Sequence, residues 1–381
     1  MQPKIRKITF MKQLISLLLL FGCLSCQGNN KSTNLQIAQS ANDTIVKSAN
    51  QQIDQSSNDT ISLALTGDVM IGTSYPTPRI PANDAKNVFD DVKELLINAD
   101  IAVGNQEGAL SDGGKCTKGS GPNSFAFRTP TRLTGNLKDA GYDYLGIANN
   151  HANDFGPEGA RDTERTLDSL GIAYSGFKGH KPFAIIERAG KKIGCMAFGQ
   201  NEYSMRNTEY DLLRKTIAEA KKAGAEIIIV SMHGGAEGKS MRHLPRTGHE
   251  IFLGEDRGNL REFAHIAIDA GADVVYGHGP HVTRAVELYK GHFIAYSLGN
   301  FATPYGMTLS GISGYAPVVT ININGNGEFI DGKIHSFIQQ PGVGPRKDAS
   351  NSVAREMREL TLSDMDDLQI DIDMEGNITR K

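Results

Sequence analysis

Five apolar runs along the chain end in polar residues. Ile61 to Leu65 leads into Thr66-Gly67-Asp68, Ala99 to Val103 into Asn105-Gln106-Glu107, and Tyr142 to Ala148 into Asn149-Asn150-His151. Glu226 to Met232 leads into His233, and Ala272 to Tyr276 into Gly277-His278-Gly279-Pro280-His281. Short apolar runs bounded by turn residues predict buried strands. Between them, Ala85 to Ala99, Pro157 to Leu170, Leu212 to Ala223 and Gly258 to Ala270 place apolar residues at helical spacing. This order predicts an α/β fold. Pro317 to Ile323 and Phe329 to Phe337, joined by Asn-Gly-Asn-Gly, predict a hairpin that completes one sheet. Beyond Gln339 the chain turns polar, with a helix predicted over Val353 to Leu360 and a closing hairpin over Leu368 to Ile378.

The polar residues all fall where backbone leaves a strand. In layered α/β folds ligands sit at the carboxyl edge of the sheet, so residues far apart in sequence converge there. Asp68, Glu107, Asn150, His233, His278 and His281 supply the mixture of imidazole, carboxylate and amide donors that a first-row divalent ion takes in hydrolytic chemistry. One such residue alone reads as a turn or a helix cap. Repetition at five strand ends reads as a divided metal site.

At these residues the chain resembles the CapA-type proteins of capsule and poly-γ-glutamate biosynthesis, relatives of the calcineurin-like metallophosphoesterases. The resemblance runs from about Leu63 to about Phe301. It is carried by Gly67-Asp68-Val69-Met70, Asn105 to Glu107, Ala148 to His151 with Asp154 and Gly156, Gly271 to Asp273, His278 to His281 and Tyr296 to Phe301. It implies a four-layer α-β-β-α sandwich of the metallo-dependent-phosphatase type, with one or two divalent ions (Mn, Zn or Fe type). Asp68 and His281 would hold one ion, Asn150, His233 and His278 the other, and Glu107 would bridge them. His151 would stand beside the substrate, orienting a bound oxyanion or donating a proton to a leaving group, and water activated at the metal would be the nucleophile. The phosphoesterases carry Asp-x-His at the first motif. Here Met70 stands in place of that imidazole, so the first ion is expected to bind more weakly.

Further contacts are expected from arginines. Arg242 and Arg246 lie in a charged connection from Gly238 to Asn259, and Arg284 follows His281. A guanidinium fork suits the carboxylates or phosphates of a polyanion. Asn105 and Asn149 are grouped with them as substrate contacts. Most residues of such a charge run nonetheless read as solvated surface. The stretch His233 to Ser240 is a near miss to a phosphate-binding loop, because its first position is histidine.

The first sixty residues speak of compartment. Lys4, Arg6, Lys7 and Lys12 precede the apolar run Leu14 to Phe21, followed by Cys23 and Cys26. The pattern reads as an export signal over 1–26, resembling that of a bacterial lipoprotein. Cys26 is the expected acylated residue and Cys23 the second choice. Residues 27–60, rich in Asn, Gln, Ser and Asp, read as a disordered tether. The folded domain is expected over 61–340, with 341–381 as an extension packed on or flanking it. The expected location is the bacterial cell envelope, membrane-anchored through the lipid, with a membrane-bound polymer synthesis or export complex as partner. Cys195 reads as a small core residue, and pairing with Cys116 cannot be deduced from two residues.

With 381 residues, 39% hydrophobic, a net charge of -3 and a pI near 6.4, the chain has ample core material and no basic footprint for nucleic acid. Three functions remain open: an accessory enzyme acting at an amide bond of an extracellular polyanion, a metallophosphoesterase, and a binding scaffold without turnover.

Overall fold

The computed structural model describes residues 60–119 and 124–381. The export-signal, tether and lipidation readings, with Cys23 and Cys26, lie outside these residues. Fifteen strands form two facing sheets: β1 (Ile61–Val69), β2 (Ile101–Gln106), β3 (Tyr144–Gly146), β4 (Ala173–Ser175), β5 (Ala184–Arg188), β6 (Lys191–Phe198), β7 (Ile227–His233), β8 (Val274–His278), β9 (Val286–Tyr289), β10 (His292–Ala295), β11 (Asn300–Ala302), β12 (Val318–Ile323), β13 (Phe329–His335), β14 (Ile370–Ile372) and β15 (Asn377–Arg380). The helices are α1 (Lys93–Asn98), α2 (Gly135–Ala140), α3 (Gly156–Leu170), α4 (Tyr210–Lys222), α5 (Leu260–Asp269) and α6 (Ser352–Asp364). None among the described residues is long and apolar enough to cross a membrane.

Among the described residues, one sheet has nine strands in the order β14-β15-β13-β12-β1-β2-β3-β4, with β11 also on β1, and the other has six in the order β9-β10-β8-β7-β6-β5. Strand alternation decides what lies between them. Leu63 and Leu65 of β1 and Ile227 and Ile229 of β7 point into the inter-sheet core with Val103, Tyr276 and Phe293. Ala64 of β1 faces outward to Phe89, Leu96, Leu137 and Leu167. Ile228 and Val230 of β7 face outward to Ile217, Phe263 and Ala267. Helices therefore cover both outer faces, giving the expected four layers. Each fully buried Ile, Leu or Phe side chain contributes about 1.5–3 kcal/mol, so the three apolar layers hold the sheets in fixed apposition. Tyr276 adds a bond across the gap, its hydroxyl donating to Gly104 O at 3.0 Å.

β1 to β4 run parallel, as do β6, β7, β8 and β10. Their carboxyl ends reach the same edge of the sandwich, which is why the polar clusters meet. The predicted hairpin after Pro317 is present as β12–β13, pairing antiparallel in the nine-stranded sheet. The C-terminal segment is not a separate flank. β14 and β15 extend that sheet through β13, and α6 puts Val353, Ala354 and Met357 into the inter-sheet core.

One helix is shorter than its spacing predicts. Only Lys93–Asn98 of the segment Ala85 to Ala99 is α-helical, and Asn83, Asp84 and Ala85 have φ near +50 to +59°. Asn83 Nδ2 bonds Asn87 Oδ1, and Asn87 Nδ2 bonds Asp90 Oδ2. These side-chain bonds offer the backbone turns in place of a helix. α5, by contrast, starts on a capping arrangement, with Asn259 Oδ1 accepting from Glu262 N at 3.1 Å.

Candidate metal centre

Strand register delivers the side chains in pairs. Asp68 on β1 lies opposite Asn105 on β2, and His278 on β8 lies opposite His233 on β7. Two glycines let the strands end so closely. A Cβ on Gly67 would meet Gly299 O at 2.0 Å, and one on Gly277 would meet Tyr296 O at 2.3 Å. No side chain fits either position.

Across the sheet gap, Asp68, His233 and His278 come together as one buried group with ligand atoms within 4.8 Å of one another. His233 Nδ1 and His278 Nδ1 are 2.8 Å apart. Asp68 Oδ1 stands 3.6 Å from His278 Nδ1 and 3.9 Å from His233 Nδ1. Its other oxygen is 3.0 Å from His281 Nδ1. Asp68 therefore sits between the two ligand groups that the resemblance separates. Asn150 Oδ1 is 2.9 Å from His233 Nε2. Glu107 Oε2 is 3.7 Å from His233 Nδ1, and Glu107 Oε1 has no hydrogen-bond partner among the described residues.

Burial governs protonation. It pushes the His278 imidazole down to about 4, against the pull of Asp68. It holds His233 well below the ordinary range, helped by the charges of His278 and His281. The Glu107 carboxyl is raised well above its usual range, first by burial and then by the Asp68 charge. At His281 burial acts downward, but the Asp68 hydrogen bond and charge with Glu237 and Glu107 carry it up to about 9.

These groups fit a divalent cation. The amide oxygen of Asn150 accepts from His233 Nε2, which leaves His233 Nδ1 as a lone pair turned towards His278 Nδ1. At most one proton can lie between those nitrogens. Bonds of about 2.0–2.2 Å around one ion put neighbouring donors about 3.0–3.5 Å apart, close to the spacings seen. The orphaned Glu107 oxygen and the raised Glu107 carboxyl are both relieved by positive charge beside them.

His151 lies next to this group. Its Nδ1 is 2.8 Å from Asp154 Oδ2, and its Nε2 faces Glu107 Oε1 at 3.9 Å. Phe127 packs on its ring at 4.4 Å between centroids, while Phe127 N donates to Asp154 Oδ2 at 2.8 Å. Burial lowers the His151 imidazole although Asp154 opposes it. Asp154 thus sets the tautomer, with Nδ1 protonated and Nε2 free to exchange a proton. A cleft of about 350 Å³ opens over His151, lined among others by Lys118, Asn150, Tyr203, Glu237, Phe252 and Arg257.

The expected substrate contacts need correction. Asn105 and Asn149 are fully buried and orient other site residues. Asn105 Nδ2 donates to Asp68 Oδ1 at 2.8 Å and to Glu107 Oε2 at 2.7 Å. Asn149 Nδ2 donates to Asn105 Oδ1 at 3.1 Å, and Asn149 Oδ1 accepts from His151 N. Arg242 pairs with Glu356 at 2.8 Å, and Arg246 pairs with Asp366, so both tie their connection to the C-terminal segment. Arg284 is fully buried, its two terminal nitrogens 2.8 and 2.7 Å from the Glu250 carboxylate. The same connection does line the cleft, but through Phe252, Leu253, Glu255 and Arg257. Ser231 was missed as well; its hydroxyl lies 2.8 Å from His278 Nε2, and its place two residues before His233 was the available signal. Cys116 and Cys195 are both free thiols, Cys195 buried in the core.

Removing the Arg284 guanidinium leaves the buried Glu250 charge unpaired, and breaking such a pair costs about 3–5 kcal/mol. Arg284→Ala is therefore expected to lower the urea midpoint markedly, and the double change Arg284→Met with Glu250→Gln to recover much of it. A single variant as stable as wild type in urea titration would show that the pair does not contribute to stability.

Residues 62–305 match the family model described as "Bacterial capsule synthesis protein PGA_cap". The chain is similar to the PGA biosynthesis protein CapA of Bacillus subtilis (strain 168), with 28% identity over 263 residues covering 65% of this chain and 64% of that protein. The match thus spans a little under two thirds of the Bacillus subtilis protein. It is also similar to the capsule biosynthesis protein CapA of Bacillus anthracis, 26% identical over 320 residues, covering 79% of this chain and 74% of that one. Among solved structures, the calcineurin-like phosphoesterase YfkN from Bacillus subtilis aligns with a TM-score of 0.44 and 14% identity, covering 80% of this chain and 98% of that chain. A 5'-nucleotidase precursor from Thermus thermophilus aligns with a TM-score of 0.41 and 12% identity, covering 75% of this chain and 56% of that chain. With the family model matching 62–305, the chain belongs to the bacterial capsule synthesis protein PGA_cap family.

Proposed function

We propose that the chain is a metal-dependent hydrolase or transferase of capsule biosynthesis that acts on an extracellular polyanion. The observation that carries this reading is the His151–Asp154 pair, 2.8 Å apart, which lines the cleft and stands beside the buried Asp68–His233–His278 group. Asp68, His233 and His278 would hold a divalent ion, with Glu107, Asn150 and His281 beside them. A bound ion would supply Lewis acidity, which lowers the pKa of water at the site towards neutrality.

The protein's own residues do the rest. Asp154 holds His151 at Nδ1, so that Nε2 would take a proton from the attacking water and give it to the leaving group as the scissile bond breaks. Asn105 fixes Asp68 and Glu107 with a single amide, which keeps two carboxylates in place at one site. Phe127 covers one side of the His151 ring and limits water there. Met70, fully buried, brings no donor where phosphoesterases have an imidazole, which disfavours a strong phosphatase and favours a one-metal enzyme or a binder. The family supports the capsule setting. We further propose, from the signal at Cys26, that the enzyme works anchored at the cell envelope beside a membrane-bound synthesis or export complex.

The test is an assay of the purified protein on poly-γ-glutamate and on a generic phosphodiester, before and after chelation. Turnover of the polymer that chelation abolishes and a divalent ion restores is the expected result. Turnover of the diester alone would favour the phosphoesterase reading, and turnover of neither by metal-loaded protein would leave a binding scaffold.

A further inference from the structure

Beside the His151 cleft lies a second cavity of about 370 Å³, to which the chemistry above assigns no role. Its lining includes Tyr75, Arg79, Cys116, Lys118, Phe125 and Phe127. Among the described lining residues two are cations and none is acidic. The neighbouring cleft differs, since Asp154, Glu237 and Glu255 there offset Lys118 and Arg257. The volume falls in the range of small-ligand sites, about 300–1,000 Å³.

The two spaces share a wall. Lys118 and Phe125 line both, and Phe125, Phe127 and Gly306 also line the pocket that reaches His281. Lys118 Nζ stands 3.2 Å from Asp154 Oδ1, so the cavity is one side chain away from the His151–Asp154 pair. Arg79 is the unengaged charge. Its backbone is fixed against Thr73, donating at 2.8 Å and accepting at 3.0 Å, while its side chain is exposed. Among the described residues its guanidinium enters no ion pair and no side-chain hydrogen bond. The neighbouring Arg128, by contrast, donates to Ser74 Oγ and Gly113 O.

We propose that this cavity is an anion subsite: Arg79 and Lys118 receive a carboxylate or phosphate of the unit next to the one processed at His151. A planar guanidinium fork on a fixed backbone suits such an oxyanion, and Lys118, already paired with Asp154, stands on the side facing the reaction. The enzyme would then read at least two acidic units of its substrate. The inference rests on the hydrolase reading for its purpose, but not for its test.

Binding of a γ-linked glutamate trimer and of tripolyphosphate to the full chain is measured by calorimetry for wild type, Arg79→Ala, Arg79→Lys and Lys86→Ala. Lys86 is an exposed cation that does not line the cavity. Loss of one charge-assisted contact is worth about tenfold in affinity. Arg79→Ala is expected to weaken the trimer about tenfold if the subsite takes carboxylate, or tripolyphosphate if it takes phosphate. Arg79→Lys should recover part of the loss, and Lys86→Ala should match wild type. Should Arg79→Ala melt below wild type, the Arg79→Lys titration carries the comparison, with a smaller loss expected on the same probe. Turnover of poly-γ-glutamate and of a small phosphodiester by metal-loaded wild type is followed in parallel. Wild-type affinity of the folded Arg79 variants for both probes, or a loss no larger than that of Lys86→Ala, would overturn the subsite. Failure of the hydrolase reading shows separately, as metal-loaded wild type without turnover, and leaves the titrations to decide the subsite.

Discussion

Alanine at position 278 is expected to remove bound metal and to cut turnover by about a thousandfold or more, the scale of losing a Lewis acid worth several kcal/mol. His278 shares the end of its strand with His233 in register, and its Nδ1 is the atom that meets both His233 at 2.8 Å and Asp68 at 3.6 Å. Without it two donors remain of the buried three, too few to hold a first-row ion firmly. His278→Gln, closer in volume, separates metal loss from a packing defect in the core. If both variants keep full metal and wild-type rate, the ion is not held where the structure gathers these donors.

His151→Ala is expected to behave differently, keeping metal content while lowering turnover by about 10²–10⁴-fold, the usual contribution of a positioned acid or base. The geometry argues for the separation. His151 Nδ1 is committed to Asp154 at 2.8 Å, and Nε2 stands 3.9 Å from Glu107, outside the group formed by Asp68, His233 and His278. Metal analysis beside a rate measurement decides it. Parallel loss of metal and rate would make His151 a ligand, and an unchanged rate would remove it from the chemistry.

The strands and their polar ends were legible because burial imposes a period of two on one face and leaves donors only where the chain exits. Leu63, Leu65, Ile227 and Ile229 needed no partner information to be placed in the core. The sequence could not show which polar residues touch substrate. Asn105 and Asn149 share the strand ends with the ligands, yet they are fully buried and spend their amides on other site residues. Arg242 and Arg246 find their acids, Glu356 and Asp366, more than a hundred residues away, a pairing that only folding creates. The helix over Ala85 to Ala99 failed for a local reason, since Asn83, Asn87 and Asp90 bond one another in turns. Lys118 and Arg79 were passed over because single cations in loops carry no pattern. Their common cavity is a product of tertiary structure.

The most direct test of the central claim is the metal content of the purified wild-type protein after reconstitution with Mn, Zn or Fe and removal of free ion, read by elemental analysis. The account predicts near-stoichiometric retention of a divalent ion at neutral pH, released as pH falls and the buried imidazoles of His233 and His278 are driven to protonate. Protein that stays metal-free under these conditions would contradict it.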